Sequence, residues 1–184
     1  MHASRSFYGR LLDGLIQGAA ALAALCILSI CILMVSMSLS REFGINLRGA
    51  DDLIAWLCAA AAFLILAQTF QHGGIVRVEI FLGTLSPKWK QRLEITSLTV
   101  MSIFCLFALS AFSLFVFQSW DFNDVSQGQI IVPLWIPQIF AAIGCFIFFL
   151  SVLDELARVL RGDKPRYQQM AEERLSAGDF GETL

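Results

Sequence analysis

Residues 14–40, GLIQGAAALAALCILSICILMVSMSLS, contain no Asp, Glu, Lys or Arg. Three further stretches share that property: Leu53 to Val76, Ile95 to Trp120 and Val125 to Leu153. A spanning helix needs about 20 mostly apolar residues to cover a hydrocarbon core of about 30 Å, and each of the four is long enough. The pattern predicts an all-α, polytopic membrane protein with four transmembrane helices, at about 14–39, 53–71, 95–118 and 136–153.

Composition supports that reading. The chain is 57% hydrophobic and 15% charged, with a mean hydropathy of +0.70, whereas soluble domains carry about a quarter charged residues. Outside the spans lie three short loops, an N-terminal tail and a polar C-terminal stretch, too little for a second packed core. One membrane domain over 1–161 is expected, followed by a flexible cytoplasmic tail over 162–184. The first apolar run, at about 26 residues, exceeds the 7 to 15 of a signal-peptide core and is retained as helix one.

The basic residues orient the chain. Arg5 and Arg10 precede helix one, Arg77, Lys88, Lys90 and Arg92 lie in the second loop, and Arg158, Arg161, Lys164, Arg166 and Arg174 follow helix four. The opposite side has only Arg41 and Arg48. The positive-inside rule therefore puts both termini and the second loop in the cytoplasm. No basic patch suggests nucleic acid binding.

Catalytic and metal chemistry find little support. The five cysteines, Cys26, Cys31, Cys58, Cys105 and Cys145, all fall inside apolar runs, and none forms a CxxC. They are expected to be small packing residues. Ionisable groups at mid-bilayer are the usual marks of ion coupling or proton relay, and the centres of all four runs have none. No nucleophile constellation, paired carboxylates or cofactor motif is present, so neither an enzyme nor a cofactor is expected.

Small residues point to helix packing. Gly14 and Gly18 form a GxxxG, Ala55, Ala59 and Ala62 share a face of helix two, and Ala141, Gly144 and Cys145 lie on helix four. Such positions allow close backbone approach, either within the chain or against a partner subunit.

The loops differ in kind. After Gly73 and Gly74, the residues Ile75, Val78, Leu82, Leu85 and Trp89 recur at helical spacing, which predicts a cytoplasmic interfacial amphipathic helix at about 75–85. Ser86 and Pro87 read as the N-cap and first residue of the next helix. The third loop is uncharged after Asp124, and Pro133, Trp135 and Pro137 suggest an extended entry with an aromatic anchor at the membrane interface.

Taken together, four helices, an acidic pair opening helix two (Asp51, Asp52), the stretch Gly73, Gly74, Val76, Arg77, Val78, Glu79, and PLWIP at helix four resemble the small permease subunit of tripartite ATP-independent periplasmic (TRAP) transporters. The resemblance covers roughly Leu12 to Arg161. Family members commonly carry a His directly before the x-R-V-D/E stretch, whereas His72 here precedes the glycine pair. The resemblance implies three components. A soluble periplasmic protein captures an organic acid, a large membrane subunit holds the substrate and sodium sites, and the small subunit extends a static scaffold in the inner membrane. On that basis Gly14, Gly18, Asp52, Arg77, Glu79 and Trp135 are the candidate scaffold and interface residues. The alternative is an unrelated four-helix membrane protein, either a self-assembling small transporter or a membrane assembly factor.

Overall fold

The computed structural model describes residues 7–45, 47–72, 87–162 and Pro165. It is all-helical, with α1 at Phe7–Glu42, α2 at Ala50–Gln71, α3 at Pro87–Asp121 and α4 at Trp135–Leu160. All four are long and apolar enough to cross a membrane. The interfacial helix expected at 75–85 and the tail after 165 lie outside the described residues.

Helix α2, with 22 residues, is about 33 Å long at 1.5 Å per residue, close to the thickness of the hydrocarbon core. Helices α1 and α3, with 36 and 35 residues, exceed it by several turns. Their expected spans marked only the charge-free parts, and both helices continue into charged flanks that include Arg10 and Asp13 in α1 and Arg92 and Glu94 in α3. Helix α4 begins at Trp135, so Pro137 falls in its first turn, where a missing N–H leaves no intrahelical bond unmade.

The helix ends have local causes. At the end of α1 the Ile45 N–H donates to the Ser40 carbonyl at 2.9 Å and the Gly44 N–H to that of Arg41 at 3.1 Å, with Gly44 at φ +67°. Helix α3 closes the same way: the Asp124 N–H donates to Ser119, the Asn123 N–H donates to Trp120, and Asn123 has φ +51°. These are left-handed caps that satisfy two of the orphan carbonyls.

The helices stand in an open row in the order α1, α2, α4, α3. Helix α4 is the hinge of the packing, since Ile147 joins Leu12, Ile16, Ala19, Ala23, Leu64 and Ala67 in one core cluster while Val152 and Val159 join Phe70, Leu98 and Cys105 in another. The α1 residues in the first cluster follow the helical repeat. In lipid such contacts gain little from the hydrophobic effect and rest on close packing, which small side chains favour.

Helices α2 and α4 approach closely at Gly144. A Cβ there would lie 2.6 Å from the backbone carbonyl of Phe63, so α2 and α4 meet almost backbone to backbone. Edge-to-face ring pairs, Phe63 with Phe112 at 5.0 Å and Phe70 with Phe148 at 5.7 Å, extend the contact along the row.

An open row leaves its outer members bare. Only 11% of the most apolar window of α1 and of α3 is buried, against 28% for α2 and 33% for α4. No α1 residue beyond Ala23 is buried, and none of α3 between 106 and 118. The uncovered side chains are those of a lipid-facing or partner-facing surface, among them Leu25, Leu28, Ile32, Phe104, Phe107 and Phe115.

Candidate functional site

The expected interface residues separate into an exposed helix face and a built loop contact. Gly14 and Gly18 are exposed on α1, and a Cβ at either would meet nothing within 4 Å. The buried stripe of α1 is Leu12, Ile16, Ala19 and Ala23. The GxxxG therefore makes no close contact among the described residues. Ala55, Ala59 and Ala62 are exposed as well, while α2 buries Ala60, Ala61, Leu64 and Ala67 instead. On α4 the small residues Ala141, Gly144 and Cys145 are buried.

Asp52 does more than favour the positive end of a helix. Gly49, at φ +84°, turns the chain into α2 and provides no side-chain cap. The Asp52 carboxylate then points away from its own helix. Its Oδ2 accepts the Gln129 N–H at 2.8 Å and the Ile130 N–H at 3.4 Å. The fit has no slack, because a Cβ at Gly128 would fall on the carboxylate and one at Gly49 on the Ile130 side chain. One aspartate thus fastens the α3–α4 connection onto the first turn of α2.

The connection is itself ordered by backbone pairing. The Ser126 N–H donates to Val132 at 2.9 Å and the Leu134 N–H to Asp124 at 3.0 Å, forming a single bridge between Val125 and Pro133. Trp135, half-buried, packs its ring against Trp120 at 4.9 Å and 68°, so the two helices entering and leaving the connection are joined by an aromatic pair.

The opposite end of the row holds buried polar side chains, of which Glu155 and Ser151 are ones that the sequence reading did not single out. Glu155 is 3% exposed and Ser151 2%, with Ser151 Oγ lacking a hydrogen-bond partner among the described residues. Gln71 is buried, and Gln68 Oε1 has no hydrogen-bond partner among the described residues. Asp154 accepts from Arg158 Nε at 3.0 Å. The signal was available: Gly144, Phe148, Ser151 and Glu155 follow one another at three and four residues, which places Glu155 on the packed face of α4. Arg77 and Glu79 lie outside the described residues.

For chemistry the inventory is sparse. Among the described residues no group of three or more His, Cys, Asp or Glu could hold a metal ion. All five cysteines are free, with Cys105 and Cys145 buried in the helix contacts and Cys31 and Cys58 exposed on the outside of the row.

If the Asp52 contact holds the connection in place, Asp52→Ala should speed amide hydrogen exchange at Gln129 and Ile130 about tenfold. That is the loss of about 1.4 kcal/mol, just under the roughly 1.5–3 kcal/mol typical of hydrogen bonds to a charged group. Unchanged exchange at both amides would show that the connection is held by something else.

A family model described as "Tripartite ATP-independent periplasmic transporters, DctQ component" matches residues 14–162. Neither the curated proteins nor the solved structures give a match.

Proposed function

Because the chain belongs to the DctQ component family of tripartite ATP-independent periplasmic transporters, we propose that it is the static scaffold subunit of such a transporter, without a substrate or ion site of its own. It is a multi-pass membrane protein and a transporter component. Its partners in this reading are a large permease subunit that carries the substrate and sodium sites and a periplasmic protein that delivers an organic acid. The membrane is the bacterial inner membrane, with both termini cytoplasmic.

The observation that carries the reading is where the charges fall. In α1 they are Arg10, Asp13, Arg41 and Glu42, in α2 Asp51 and Asp52, in α3 Lys88, Lys90, Arg92, Glu94 and Asp121, and in α4 Asp154, Glu155 and Arg158. Every one lies near a helix end. Coupling a gradient to substrate movement calls for polar or ionisable groups at mid-bilayer, so movement has to be supplied by another polypeptide. The bare outer faces of α1 and α3 supply the surface on which such a polypeptide and the lipid can pack. The same features weigh against a self-assembling small transporter, which would need an ionisable group of its own at mid-bilayer.

Affinity purification in mild detergent tests this directly. A much larger polytopic subunit is expected to co-purify in stoichiometric amount, and a lone homo-oligomer would favour the unrelated four-helix alternative. Orientation is tested separately, by labelling with a membrane-impermeant maleimide from the periplasmic side. A cysteine at Asn123 should react and one at Lys88 should not; the reverse would invert the topology.

A further inference from the structure

We propose that the α3–α4 connection is an interfacial hairpin seated in the headgroup and upper acyl layer of the membrane, and that its apolar side chains are contacts to lipid. This goes beyond the scaffold reading and stands whether or not a large subunit is present.

Three observations lead there. The hairpin turns apolar residues outward: Ile131 is 78% exposed, Phe122 72% and Val125 49%. From Val125 to Leu153 there is no charged residue, so no charge in the hairpin beyond Asp124 opposes entry into a low-dielectric layer. The two helices that the hairpin connects also expose apolar side chains within two turns of it, Phe115 and Phe117 on α3 and Ile136 and Phe140 on α4.

Depth is fixed by Asp52. Its hydrogen bonds to Gln129 and Ile130 tie the hairpin to the first turn of α2, and α2, at 22 residues, is just long enough to cross the hydrocarbon core. The first turn of α2 therefore lies at the membrane boundary, and the hairpin lies there with it. The paired rings of Trp120 and Trp135 mark the same level, as expected for amphipathic rings that settle among headgroups. The exposed carboxylates of Asp121 and Asp124 mark the aqueous side. A water-exposed loop at this point would leave an apolar cluster with no cover, and a loop that rose from the membrane would have to break the Asp52 contact.

The test is photo-crosslinking in intact cell membranes containing radiolabelled phospholipid, with benzoylphenylalanine placed singly at Ile131, Phe122 or Gln127. Phe122 offers a nearly isosteric exchange, and Ile131 is exposed enough to tolerate one. Label transfer to the chain from Ile131 and Phe122 should exceed that from Gln127, an exposed polar residue of the same hairpin, by about fivefold or more. Adducts to a protein from both apolar positions, or lipid labelling no greater than at Gln127, would overturn the proposal.

Discussion

Gly144→Leu should destabilise the isolated chain strongly, while Gly14→Leu and Gly18→Leu should leave it close to wild type. Leucine in place of glycine gains about 1 kcal/mol of helix propensity wherever it is tolerated. At Gly144 that gain is overwhelmed, because the new Cβ meets the Phe63 carbonyl at 2.6 Å and backbone cannot rotate away as a side-chain tip can. Overpacking typically costs about 1–3 kcal/mol, and here the α2–α4 contact at the centre of the row has to separate to admit four carbons. At Gly14 and Gly18 a Cβ would meet nothing within 4 Å among the described residues, so a larger side chain there displaces no described contact.

The same pair of glycines then separates folding from assembly. If the exposed GxxxG face of α1 receives a helix of the large subunit, Gly14→Leu with Gly18→Leu should lower recovery of that subunit about tenfold, equivalent to about 1.4 kcal/mol, with the thermal unfolding of the chain alone unchanged. Thermal unfolding in detergent and co-purification, run on the same variants, read the two effects apart. Full recovery of the large subunit would move the contact to another face, and loss of stability at Gly14 or Gly18 would contradict the packing described for α1.

The number of spans was legible because it depends only on where charge is absent, and four runs without Asp, Glu, Lys or Arg became four helices. Helix ends were less legible. The flanks of α1 and α3 are polar enough to interrupt an apolar run yet remain helical, so charge marked the hydrocarbon boundary and not the helix terminus. The packed faces were harder still. Gly14 and Gly18 and Ala19 and Ala23 are all small residues on one helix, and only the second pair is buried; composition alone does not rank two stripes of similar size.

Asp52 shows a different limit. An acidic residue in the first turn of a helix has a local explanation in the helix dipole, and that explanation conceals its longer reach. Its partners are the backbone N–H groups of Gln129 and Ile130, 77 and 78 residues away, and backbone groups carry no sequence signature. Gly49 and Gly128, the two positions that make the fit possible, could be read as ordinary turn glycines until the loop and the helix were seen against each other.

The central claim is that this chain holds and another moves, and transport by defined components measures it most directly. The purified chain, reconstituted in liposomes with an inward sodium gradient and a soluble binding protein loaded with organic acid, should give no uptake above empty liposomes. Adding the large permease subunit should restore sodium-dependent uptake. Sodium-dependent uptake by the chain and the binding protein alone would contradict the scaffold account.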